Sequence, residues 1–113
     1  MEKIILIKLI TGEELIGVSE SDLNDDVINI DNPAIIIQGL NQNAEYSFKL
    51  LRFMPYTTDS LFSFSKKHII LICEPESSII EYYKDFEKER IKSLEEFQDR
   101  IRKLVGVSSS TKH

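Results

Sequence analysis

The hydrophobic period of this chain changes at Cys73, and that change limits the fold more than any single motif does. Before Cys73 the apolar residues come in short β-branched runs divided by turn formers: Ile4-Ile5-Leu6-Ile7, Leu9-Ile10, Val27-Ile28, Ile35-Ile36-Ile37 and Ile69-Ile70-Leu71-Ile72. Such runs are strand material. After it, Ile79, Tyr83, Phe86, Ile91, Leu94, Phe97, Ile101 and Leu104 recur at three- and four-residue steps, with one break around Arg90. That is the spacing of an amphipathic helix. The chain therefore reads as mainly β with one C-terminal helix.

Turn chemistry divides the first part into strands at about 2–10, 14–21, 26–38, 44–54, 60–66 and 68–73. Thr11-Gly12-Glu13 reads as a tight hairpin and Gly39 to Asn43 as a longer polar one. Asn32-Pro33 reads as a bend or an edge, because Pro33 cannot donate a ladder hydrogen bond. Glu20 to Asp26 is a solvated acidic loop. The continuous apolar runs call for cover on both faces, from a closed barrel or from another subunit. Tyr46, Phe48 and Leu50, and then Phe62 and Phe64, alternate with polar residues and should be half exposed. Glu74-Pro75-Glu76 opens the helix, with Pro75 near its first turn and Glu76 at the positive end of the helix dipole. The resulting division is a β unit over 1–75, a helix over 76–105 and a disordered tail over 106–113, with Gly106 as the stop. A helix of ~30 residues is ~45 Å long. That is more than a small β unit covers, so its apolar stripe needs a partner, most simply another copy.

Charge narrows the function classes. Lys and Arg number 14 against 19 Asp and Glu, a net of −5. A broad basic patch for nonspecific nucleic-acid binding is not expected. Residues 1–31 hold eight acids and two Lys, whereas residues 76–103 hold eight acids and seven bases. The single Cys73 excludes an intramolecular disulfide, argues against a structural zinc site and fits a reducing cytoplasm. It reads as a core thiol at the end of an apolar strand. No run has the length of a membrane span, and the N-terminal apolar run lacks the pattern of a signal peptide.

Catalytic patterns are missing. His68 and His113 are the only histidines, and neither stands in a Ser-His-acid, Cys-His or zinc-protease spacing. Asp22, Asp25, Asp26 and Asp31 lack the ordered spacing and closing glutamate of a calcium loop. The expectation is a protein that is not an enzyme and carries no cofactor or metal. The most informative local feature is Ser65-Lys66-Lys67-His68, cationic donors beside an imidazole at a strand-to-strand turn. In one copy it is a solubilising turn that protects an edge strand. In a ring of copies it would line a pore.

Two segments carry a family likeness. Leu9-Ile10-Thr11-Gly12-Glu13-Glu14-Leu15-Ile16-Gly17-Val18, followed by Asp25-Asp26-Val27-Ile28-Asn29-Ile30, resembles the first motif of Sm-like proteins of the LSm and Hfq type. Phe64-Ser65-Lys66-Lys67-His68-Ile69-Ile70 is similar to their second motif. The ending Ile72-Cys73-Glu74-Pro75 before a helix resembles Sm-like proteins of phage origin. The resemblance implies a small, strongly bent five-stranded barrel. It also implies assembly into homo-oligomeric rings of about five to seven subunits, by strand pairing between neighbours, with uridine-rich or adenine-rich single-stranded RNA at the pore. Carried over by position, Asn29 would bond a base edge, and Lys67 and His68 would contact a base and phosphate at the rim; if RNA binds at this turn, Lys66 beside them would also neutralise phosphate. Val27 stands where RNA-binding members often carry a flat stacking side chain, residues 40–59 look like an insertion, and the long helix is C-terminal. A ring that serves as a structural or protein-interaction scaffold, with no RNA, is the alternative implied.

Overall fold

The computed structural model describes the backbone of residues 2–111 and the side chains of residues 2–105. Six antiparallel strands precede one helix: β1 (Lys3–Leu9), β2 (Glu14–Ser19), β3 (Val27–Leu40), β4 (Tyr46–Arg52), β5 (Leu61–Ser65), β6 (Ile69–Cys73) and α1 (Ser77–Thr111). All six strands lie where the turn chemistry placed them, except that β3 runs on through Gly39 and Leu40, residues expected in the polar turn. The chain falls into two compact units, one ending at Tyr83 and one starting at Lys84. The first two turns of α1 therefore belong with the strands.

The sheet runs in the order β4-β3-β2-β1-β6, with β5 paired to β3 off this path. This is a mainly β arrangement with one strand more than the expected five-stranded barrel, and β5 and β6 do not pair with each other, so the path is not closed. The additional strand is β4. It forms a hairpin with the second half of β3, from Ala34↔Arg52 to Leu40↔Tyr46, within the segment read as an insertion.

β3 pairs with three strands, β2, β4 and β5, and divides β4 and β5 between its two halves by bending. Its first half pairs with β5, Val27↔Ser65 through Asp31↔Leu61. Between the halves Asn32 takes φ 50°, a left-handed conformation that Asn tolerates better than most residues. Its carbonyl accepts from the Tyr83 hydroxyl at 2.8 Å and its N–H donates to the Ser60 carbonyl at 2.7 Å. On the facing strand the register shifts between Ile16 and Val18. Gly17 sits at that shift because a Cβ there would collide with Ile30 Cγ2 and lie 3.1 Å from Asp31 O and 3.2 Å from Pro33 Cα.

The core gathers Ile5, Ile7, Leu9, Leu15, Ile28 and Ile30, with Phe53, Phe64, Ile69 and Ile72 packed against it. Phe53 joins Phe62 and Phe64 by ring contacts at 5.6 and 5.5 Å, a favoured range for aromatic pairs. Cover on both faces, expected for the continuous runs, is met in part by β1, where Ile5 and Ile7 are buried and Ile4 and Leu6 half-buried. In β6 it is not: Ile69 and Ile72 turn inward while Ile70 and Leu71 are 55% and 57% exposed. Cys73 follows the outward phase and is exposed, not the core thiol expected from its apolar neighbours. α1 continues past Gly106, the expected stop, to Thr111. One Gly costs a helix ~1 kcal/mol, which ends it only where the chain turns away. Of the tail expected to be disordered, Lys112 and His113 lie outside the described residues.

Candidate functional site

Lys66–His68 forms a single 3₁₀ turn between β5 and β6. It is tied down at both ends by backbone bonds: Lys66 N–H donates to Asp26 O at 2.8 Å, and His68 O accepts from Ile10 N–H at 2.9 Å. The three side chains are exposed. Lys66 is nonetheless partly committed, because its Nζ donates to the Leu23 carbonyl at 2.7 Å. Lys67 and His68 project from a turn whose backbone cannot drift, an arrangement that presents cationic and imidazole donors at low entropic cost.

Asn29 stands on β3, two residues beyond Val27, which the register sets opposite Ser65. It is thus ~7 Å along the strand from the start of the cationic turn. Val27 is 46% exposed and offers no flat face for a base. The Asn29 side chain accepts from Ser63 Oγ at 2.6 Å. Its backbone is also held, with N–H donating to Ser21 Oγ at 3.0 Å and C=O accepting from Ser19 Oγ at 2.6 Å. Ser19 is buried, so these bonds pin the start of the acidic loop against β3.

That pinning builds a feature the motif did not show. Asn29 lines an open cavity of about 610 Å³ together with Glu2, Glu20, Asp22, Asp25 and Asp31. Two unit charges 4 Å apart interact by ~1 kcal/mol in water and more near a protein surface, so five carboxylates oppose a phosphate there. The structure brings Asn29 near Lys66, Lys67 and His68 by register but gives it an anionic setting. The sequence signal existed, eight acids within residues 1–31, but the partner of that acidity was not legible. Among the described residues no group of three or more His, Cys, Asp or Glu could hold a metal ion, and no helix is long and apolar enough to cross a membrane.

Both flanks of the cationic turn are sheet edges. β5 pairs with β3 on one side and β6 with β1 on one side. Leu61 on β5 and Ile70 and Leu71 on β6 are 55–60% exposed. A family model described as Sm_like domain matches residues 6–84, from β1 into the first turns of α1. No curated protein matches the chain.

Proposed function

The chain belongs to the Sm-like family, and from that membership we propose that it works as a homo-oligomeric ring of about five to seven subunits that binds single-stranded RNA at the Lys66-Lys67-His68 turn. The carrying observation is the pair of one-sided strands β5 and β6, both with exposed apolar side chains and joined by that turn. Strand edges of this kind pair with another chain unless something blocks them. A β5 edge meeting the β6 edge of a neighbour is a heterologous contact, which generates a ring where the rotation between neighbours closes. Symmetry then repeats the cationic turn around one rim, where Lys67 and His68 of every copy face a common strand of phosphates despite a net charge of −5. Asn29 reads a base edge with its amide N–H₂, its oxygen being held by Ser63. The reading involves no catalysis and no cofactor, and the free thiol of Cys73 suits a reducing cytoplasm.

A second reading has its own support. The five carboxylates around Asn29 repel RNA and suit a basic protein partner, which makes the ring a scaffold. Fluorescence anisotropy with labelled oligo-U and oligo-A separates the two. RNA binding requires affinity that falls with salt, at a log-log slope of ~−0.7 for each phosphate contact. Lys67→Ala should weaken binding and flatten that slope while leaving the assembly mass unchanged, since surface substitutions usually move stability by less than ~0.5 kcal/mol. An intact ring that binds neither oligomer removes RNA and leaves the scaffold.

A further inference from the structure

From Lys84 onward α1 carries Ile91, Leu94, Phe97, Ile101, Leu104 and Val105 on one stripe, 37–70% exposed. Ile91, Gln98 and Val105 repeat at seven residues beside Leu94, Phe97, Ile101 and Leu104. The stripe is wider than a two-residue coiled-coil seam, as bundles of more than two helices require. Lys92 stands on the opposite side of the helix, where a stripe of this period leaves charge.

We propose that the helices of several copies pack this stripe together as a parallel, in-register bundle. Charge identifies a second copy of this chain as the occupant. Residues 84–105 hold seven bases and six acids, whereas the rest of the chain holds seven bases and thirteen acids. This segment is close to neutral and meets its own copies without the repulsion that a chain of net −5 otherwise carries. A basic partner would be drawn to the acidic strands and an anionic one finds only mixed charge on the helix, so neither is selected by the stripe. The parallel direction rests on the ring reading, because rotation about a ring axis sets equal positions side by side.

Cysteine cross-linking of the full chain tests this in a Cys73→Ser background. Ile91→Cys and Val105→Cys lie fourteen residues apart on the stripe, ~21 Å along the helix, and Lys92→Cys lies outside it. Under mild oxidation each stripe variant alone should run at twice the 13.1 kDa chain mass, and Lys92→Cys should run as the single chain. Leu94→Glu/Ile101→Glu, at two exposed positions, should abolish both cross-links. Cross-links that form only in a mixture of the two stripe variants mean antiparallel packing and overturn the in-register bundle. Equal cross-linking at Lys92, or none at the stripe, overturns it as well. Light scattering of the same unoxidised samples reports the ring separately. A ring mass without stripe cross-links defeats the bundle alone, and stripe cross-links in a dimer defeat the ring alone.

Discussion

At the scale of single residues, the family glycine at position 17 has a steric cause. With Ile30 Cγ2 inside contact distance of any added Cβ and the β3 backbone close behind, Gly17→Ala must push apart two strands at the bend. It should destabilise the first unit by ~1–3 kcal/mol, read as a lower urea midpoint with an unchanged slope. Glu13 offers a milder case. The Thr11 hydroxyl donates to its carboxylate, and this bond, with one from its own backbone N–H, holds its pKa below the ordinary carboxylate value. The folded state thus binds this proton less readily than the unfolded one, and the contribution is present above the unfolded pKa and lost as pH falls through the folded pKa. Thr11→Val should move the Glu13 titration upward in a carboxyl-detected NMR titration, and an unmoved titration would refute the bond. Asn29 shows where residue-level reading stops. Its place on a strand was legible from the β-branched Val27-Ile28 run before it, but the carboxylates around it depend on Ser19 and Ser21 pinning a loop, and two serine hydroxyls leave no periodic trace.

Among the elements, the six strands were legible because their punctuation is local: Gly12 at φ 104°, Asn32-Pro33, and the Asn41 to Glu45 turn closed by Asn41 N–H to Glu45 O at 2.9 Å. Burial within them was less legible. Ile69 to Ile72 is uniformly apolar, and a uniform run does not show the register shift against β1 beside which both Ile70 and Leu71 face outward. The helix also divides differently from its sequence period. The stripe runs from Ile79 through Tyr83 to Val105 with its one break around Arg90, yet Tyr83 is 2% exposed and bonded to Asn32 O, while Leu104 is 70% exposed. One period thus serves two structural tasks. Tyr83→Phe keeps the packing and removes the donor that holds the left-handed Asn32. It should cost ~1–2 kcal/mol, and Tyr83→Ala ~3–5 kcal/mol, in urea unfolding of the full chain. A neutral Tyr83→Phe would mean that the bend in β3 stands without it.

For the whole molecule, two kinds of contact are available to join copies, and their separate removal is the sharpest check on the architecture. The proposed β5–β6 contact between copies would bury Leu61, Ile70 and Leu71, each already about half covered. At ~1.5–3 kcal/mol for complete burial of such a side chain, the remaining halves supply ~3 kcal/mol per interface, to which the ladder hydrogen bonds add. The proposed helical bundle would supply a second contact of comparable apolar content. Ile70→Lys/Leu71→Lys places two charges on an edge strand, the device by which natural sheets block pairing. The same two exposed positions should leave the fold of a single copy intact, visible as an unchanged circular dichroism spectrum. If the ring forms as proposed, this variant should dissociate on dilution at concentrations where the parent stays assembled, even with the helical contact present, since the lost ~3 kcal/mol corresponds to about a hundredfold in each interface constant. Adding Leu94→Glu/Ile101→Glu should then bring the light-scattering mass down to the 13.1 kDa single chain. A fourfold-substituted chain that still scatters as a ring would place the subunit contact elsewhere, with the unpaired side of β4 as the remaining strand edge able to make it.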